Sequence, residues 1–155
     1  MSESNALGLE FHHLGLAVRR PDDAKAFLGV LGYELGEPIY DPEQNANLIF
    51  CRHRGRMPDI EIIYPAKDKS PVDNVINRRP DGLVYHLCYV TDDVAAWLRR
   101  MEQADIRAVC IIPPVPAVLF AGRLVSFYNV VGVGLCEVIE DPAGTLCCSA
   151  CEPAV

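Results

Sequence analysis

Four residues in this chain have side chains that do chemistry and stand in runs where such side chains are out of place: His13, Glu61, His86 and Glu137. Each lies in an apolar stretch with strand-like alternation. The stretches are His13-Leu14-Gly15-Leu16-Ala17-Val18, Ile60-Glu61-Ile62-Ile63, His86-Leu87-Cys88-Tyr89-Val90 and Cys136-Glu137-Val138-Ile139. An ionised group left alone among such neighbours is very costly. Taken singly, a strand histidine reads as a hydrogen-bonded core residue and a strand glutamate as a solvent-facing one. Taken together, two imidazoles and two carboxylates suit a divalent cation of borderline to hard character. Cobalt, zinc, manganese, nickel and ferrous iron all fit that description. Four protein ligands in an octahedral field leave two positions for water or substrate oxygens. Such a Lewis-acid site can stabilise an enolate next to a carbonyl.

The elements that must position these residues repeat along the chain. His13–Val18 reads as a strand, and Asp22-Asp23-Ala24-Lys25-Ala26-Phe27-Leu28 as a helix starting at a carboxylate cap behind Pro21. His86–Val90 is a second such strand, and Thr91-Asp92-Asp93-Val94 opens a second capped helix running to about Gln103. From His13 to Glu61 is 48 residues and from His86 to Glu137 is 51, so each copy begins on a strand histidine and ends on a strand glutamate. On the first strand His13 shares a face with Gly15 and Ala17, whose small side chains leave room above the sheet. Hairpin strands are expected over Asn47–His53 and Ile60–Tyr64, and strands over Arg107–Ile112, Leu124–Tyr128 and Leu135–Glu140. Ser70-Pro71 starts a short helix reaching about Arg79 in the polar linker, and Gly132-Val133-Gly134 reads as a turn.

Composition narrows the function. The 155 residues are 50% hydrophobic and 23% charged, which is globular, and 14 basic against 21 acidic residues give a net charge of −7. That balance disfavours a nucleic-acid partner, which needs a basic face. The longest uncharged run, Ala108–Gly122, is 15 residues broken by three prolines, too short to span a membrane. Met1–Leu9 has no basic residue and no apolar stretch, so no secretory signal is expected and the chain is placed in the cytoplasm. Of the seven cysteines, Cys51, Cys88, Cys110 and Cys136 read as buried thiols of a reducing compartment. Cys147, Cys148 and Cys151 fall in a Pro/Ala/Ser tail without the second ligand pair that structural zinc needs, and are expected to be incidental.

The repeat resembles the vicinal oxygen chelate superfamily, which includes glyoxalase I, extradiol dioxygenases, bleomycin- and fosfomycin-resistance proteins and methylmalonyl-CoA epimerase. It is most similar to the epimerase-like branch. The resemblance rests on His13-Leu-Gly-Leu-Ala-Val, Phe27-Leu-Gly-Val-Leu-Gly-Tyr, Pro42-Glu43-Gln44, Ile60-Glu61-Ile62-Ile63-Tyr64-Pro65, Ser70-Pro71-Val72 and Asp81-Gly82-Leu83-Val84-Tyr85-His86, in that order. It implies an α+β fold of paired βαβββ modules forming a cupped, incomplete barrel around a metal site. The first module would cover 9–66, a linker with a short helix 67–81, the second module 82–141 and a flexible tail 142–155. By position His13, Glu61, His86 and Glu137 match the family's four metal ligands, and Glu43 matches a glutamate proposed as an acid/base.

The departures are late in the chain. An apolar run, Pro113–Arg123, stands where the family has a glycine-rich loop, and Asn129-Val130 replaces a His-Pro pair. The activity expected is a metal-dependent isomerase or epimerase, with Glu43 or Glu137 removing a proton α to the carbonyl of an acyl-CoA or related thioester. One divalent ion and a homodimer are expected. A glyoxalase-type lyase uses the same parts. An extradiol dioxygenase needs two histidines and one carboxylate, so Glu61 argues against it. A drug-binding protein of this fold generally lacks the ligand set.

Overall fold

Residues 5–146 are described in the computed structural model; Cys147, Cys148 and Cys151 lie outside them. Contacts divide the chain into two units, one running from His13 to Tyr85, the other made of the residues before His13 with those from His86 onward.

The first unit takes β1 (Glu10–Ala17) from His13 onward, then α1 (Asp22–Val30), β2 (Glu34–Leu35), β3 (Ile39–Asp41), β4 (Ala46–Arg52), β5 (Asp59–Pro65) and α2 (Val72–Ile76). β5 runs parallel to β1 and antiparallel to β4, whose other edge takes β2 and β3. Alternation decides which side chains meet α1. Leu16, Val18, Ile49, Cys51, Ile60 and Ile62 pack with Leu28 and Tyr33, while the intervening residues point to the opposite face. α1 does not start on an aspartate cap as its sequence suggested. Pro21 occupies the cap position, and Asp22 and Asp23 sit in the first turn, where their charge complements the helix dipole. The two- and three-residue strands β2 and β3 are too short to show any alternation in sequence.

The second unit is built from β6 (Leu83–Thr91), α3 (Val94–Gln103), β7 (Ala108–Pro116), a 3₁₀ turn (Val118–Phe120), β8 (Leu124–Val130) and β9 (Gly134–Glu140). β9 runs parallel to β6 and antiparallel to β8, which pairs with β7. Strand, helix, outer strand and closing hairpin thus recur in both units, and the fold is α+β. Asp93 caps α3 as expected, accepting from the Ala96 N–H at 2.8 Å. Val94, Trp97 and Met101, at i, i+3 and i+7, meet Tyr128, Val130, Cys136 and Val138. No described helix is long and apolar enough to cross a membrane.

β7 departs from expectation. It continues through Pro113 and Pro114 to Pro116, with register shifts between Cys110 and Ile112 and between Ile112 and Val115. An edge strand tolerates missing N–H donors, which is where prolines in sheets are found. The same edge position exposes Cys110, which is therefore not the buried thiol that its apolar neighbours suggested.

The end of β9 is tied to the turn before β8. Arg123 donates to Asp141 Oδ1 at 3.0 Å, to the Phe120 carbonyl at 2.9 Å and to the Thr145 hydroxyl at 2.7 Å. The Leu146 N–H donates to Asp141 Oδ2 at 2.6 Å. Burial alone would raise the Asp141 carboxyl, but the Leu146 N–H, Arg123 and Thr145 outweigh it and hold the group below its ordinary range. A carboxylate depressed in the folded state stabilises the fold above its unfolded pKa and stops doing so as pH falls through the folded value. Asp141→Asn should therefore cost about 2 kcal/mol at pH 7 in urea unfolding. Its deficit relative to the wild type should shrink below about pH 4, the unfolded aspartate value. A deficit that is flat with pH would show that the charge is not what holds this segment.

Candidate functional site

Register explains how the sequence brings His13 and Glu61 together. β1 and β5 pair so that Gly15 lies opposite Glu61, and His13 is two residues away on the same face. With no side chain at position 15, the glutamate can turn toward the imidazole, and His13 Nε2 stands 3.8 Å from Glu61 Oε2. The second unit uses the same offset. Cys88 lies opposite Glu137, His86 is two residues before it, and His86 Nε2 stands 3.1 Å from Glu137 Oε2. None of the four is more than 2% exposed. The strand glutamates are thus interior residues, not the solvent-facing ones that each would be if read alone.

Both pairs rest on an aromatic ring that the sequence reading passed over. Phe50 on β4 pairs directly with Glu61 and sets its ring edge-on to His13, with centroids 5.3 Å apart. Phe127 on β8 pairs with Glu137 and meets His86 at 5.8 Å. The available signal was the repeat itself, since each copy carries one phenylalanine in the strand preceding its glutamate strand. On the sheet face away from the helix, that residue must fall beside the carboxylate.

These spacings fit a cation better than a hydrogen bond. Glu137 Oε2 is buried and has no hydrogen-bond partner, so its 3.1 Å approach to His86 lacks hydrogen-bond alignment. Two donor atoms each about 2.1 Å from one ion lie roughly 3–4 Å apart, depending on the angle between them. Both His–Glu distances fall in that range. Imidazole nitrogen with carboxylate oxygen is a donor set for borderline to hard divalent metals. Each pair therefore has the chemistry, spacing and burial to hold a metal ion.

Glu43 is placed differently. It is exposed in the turn between β3 and β4, which Asp41 shapes by accepting the Glu43 N–H at 2.9 Å and the Gln44 side chain at 2.8 Å. Its carboxylate joins neither His–Glu pair. Of the buried thiols, burial pushes Cys51 up to about 11 and raises Cys136 as well, so neither is a thiolate near neutral pH, while Cys88 lies opposite Glu137.

Comparison with known proteins bears on the fold and the family. The model of the Glyoxalase/Bleomycin resistance protein/Dioxygenase superfamily matches residues 12–127. A mitochondrial methylmalonyl-CoA epimerase of Dictyostelium discoideum is 25% identical over 121 residues, covering 77% of this chain and 70% of its own. An ethylmalonyl-CoA/methylmalonyl-CoA epimerase of Cereibacter sphaeroides is 29% identical over 101 residues, covering 63% of this chain and 72% of its own. Among solved structures, methylmalonyl-CoA epimerase from Mycobacterium tuberculosis superposes with a TM-score of 0.69 at 21% identity, covering 90% of this chain and 91% of that one.

Removing a ring from beneath a pair tests how far it holds the site. Phe127→Ala should cost roughly 3–5 kcal/mol in urea unfolding. Phe127→Leu, which refills most of the volume, should cost less than half of that. Equal losses for the two variants would mean that the ring's edge-on contact with His86, and not its volume, carries the effect.

Proposed function

The chain belongs to the glyoxalase/bleomycin resistance protein/dioxygenase superfamily and is an enzyme; from that premise we propose that it is a metal-dependent isomerase that epimerises an acyl-CoA thioester. The observation that carries this reading is the buried His–Glu pair repeated in both units with spacing suited to a cation. The names of the curated relatives support the acyl-CoA substrate.

In this proposal His13, Glu61, His86 and Glu137 hold one divalent ion. When bound, the ion supplies positive charge that stabilises the negative charge developing on a carbonyl oxygen, worth several kcal/mol. The rest of the work falls to the chain's own residues. Phe50 and Phe127 pack beside the pairs, keeping the imidazoles in place and water away from them. A carboxylate removes the proton α to the carbonyl, and epimerisation needs a second group to return one on the opposite face. Glu137 and Glu43 are the two candidates, Glu137 from within its buried pair and Glu43 from its exposed turn. A dioxygenase of the two-histidine, one-carboxylate kind has no use for Glu61 as a further ligand.

The proposal extends to a homodimer in the cytoplasm. The dimer is supported by the large side chains Phe27 and Val30 left exposed on α1. The apolar run Val115–Phe120 leads to the further expectation that acyl groups bulkier than methylmalonyl are accepted at least as well.

Metal content gives the first test. Purified protein should hold about one divalent ion per chain, and saturating metal at about a hundred times its Kd should add about 2.7 kcal/mol of stability over chelated protein. His86→Ala should lose both. Full thermal stability in chelator, with no ion bound at any stage, would remove the metal from the proposal.

The chemistry is read by deuterium. Acyl-CoA thioesters carrying an acidic α-proton should exchange it with deuterated water in the presence of the metal-loaded enzyme, followed by mass spectrometry. Glu43→Gln should keep its metal and slow exchange by roughly 10²–10⁴-fold, the usual contribution of a general acid or base. A metal-loaded protein that exchanges no α-proton across a panel of thioesters, yet consumes oxygen with a catechol, would overturn the isomerase.

A further inference from the structure

Four arginines gather on two adjoining segments of the His13–Tyr85 unit. Arg19 and Arg20 follow β1, and Arg78 and Arg79 follow α2. The segments are held to each other twice: the Arg19 guanidinium donates to Asn77 Oδ1 at 3.0 Å, and Gly82 passes so close to β1 that an added Cβ would meet Val18 Cγ1 at 3.3 Å and the Ala17 carbonyl at 3.4 Å. Backbone bonds from Arg78 to the Val75 carbonyl and from Arg79 to the Ile76 carbonyl hold the second pair in place.

All four side chains are exposed, and none forms an ion pair among the described residues. Four carboxylates lie near them in sequence. Asp22 and Asp23 lie in the first turn of α1, Asp73 accepts the Ser70 N–H at 2.8 Å, and Asp81, exposed two residues after Arg79, forms no ion pair with any of the four. In a chain with 21 acidic and 14 basic residues, four exposed arginines on two adjoining segments are a local concentration of positive charge suited to an anion. Arginine's planar fork matches phosphate oxygens two at a time.

We infer that Arg19, Arg20, Arg78 and Arg79 bind the phosphate-bearing end of the acyl-CoA substrate. The inference rests on the acyl-CoA reading above and adds the place where the carrier is held. Length agrees with it. From His13 to Val18 the strand covers roughly 17 Å, at about 3.3 Å per residue. The pantetheine arm has about thirteen bonds between sulfur and first phosphorus, roughly 16 Å when extended at about 1.2 Å per bond. A thioester beside His13 whose arm runs along β1 would bring its diphosphate to the end of the strand, where Arg19 and Arg20 stand.

Calorimetric titration of the full-length protein with coenzyme A, dephospho-coenzyme A, ADP and pantetheine tests the assignment. Coenzyme A should bind at least about tenfold more tightly than pantetheine at low salt, the value of one good charge-assisted contact. That advantage should shrink as salt rises. The double variant Arg20→Gln/Arg79→Gln, which leaves the Arg19–Asn77 tie intact, should lose the advantage while keeping the wild-type melting temperature and pantetheine affinity. Weakening of ADP but not coenzyme A in that variant would place the carrier elsewhere and overturn the inference, as would equal binding of coenzyme A and pantetheine to the wild type. The two proposals fail separately. Deuterium exchange into pantetheine thioesters as fast as into CoA thioesters would sink the arginine site and leave the isomerase. Salt-sensitive coenzyme A binding through the arginines without any α-proton exchange would sink the isomerase and leave the site.

Discussion

A carboxylate buried on the face of a sheet is the constraint that the rest of the structure must satisfy. Glu61 and Glu137 sit among isoleucine, valine and phenylalanine with almost no exposure, where an ionised group without compensation is very costly. Each is given a small residue opposite, a histidine two positions away, and a phenylalanine across the hairpin. None of these neighbours is adjacent in sequence: the parallel pairing of first and last strand brings the histidine and the small residue, and the antiparallel hairpin brings the phenylalanine. The strand order of each unit is therefore also the construction of its His–Glu pair.

The opposite faces of the same strands keep that pairing in register. On β9, Cys136 and Val138 pack under Trp97 while Glu137 points the other way; on β5, Ile60 and Ile62 pack under α1 while Glu61 does the same. A slip of one residue would send the carboxylate into the helix interface and an apolar side chain to the site. Burying Trp97 and Leu28 thus stabilises the fold and aims the chemistry through one set of contacts. Substitutions beneath the helices should act on the site through register even though they touch no ligand.

The parts legible in the sequence are those that repeat or alternate. The spacing of His13, Glu61, His86 and Glu137 marked two copies, and Asp93 announced the start of α3. The two phenylalanines could have been found from the same repeat, because a residue directly across a hairpin from a known glutamate has only one place to go. What escaped depends on neighbours that sequence does not display. Cys110 has apolar residues on both sides and is nevertheless exposed, since β7 has no further strand beyond it in its unit. The prolines of β7 look like a loop until its outer edge is known to need no donors. At α1, two aspartates behind a proline offered a cap, but proline's fixed backbone angle starts the helix first and leaves the carboxylates in the first turn.

Charge balance links the proposed ligand set to the surface that would hold the carrier. Two neutral imidazoles and two carboxylates offset a divalent ion completely, so the loaded centre would have no net charge with which to attract an anion. The chain as a whole carries −7 and repels one. An acyl-CoA is polyanionic, and almost all of its charge lies at the far end of the pantetheine arm. A charge-balanced centre can favour the small negative charge that develops on a carbonyl oxygen, because that charge appears within reach of the ion. It cannot recruit the carrier. Recruitment then requires positive charge placed about one extended arm away and left without carboxylate partners, which is what distinguishes Arg19, Arg20, Arg78 and Arg79 from Arg54 and Arg123, whose charges are paired with Glu34 and Asp141.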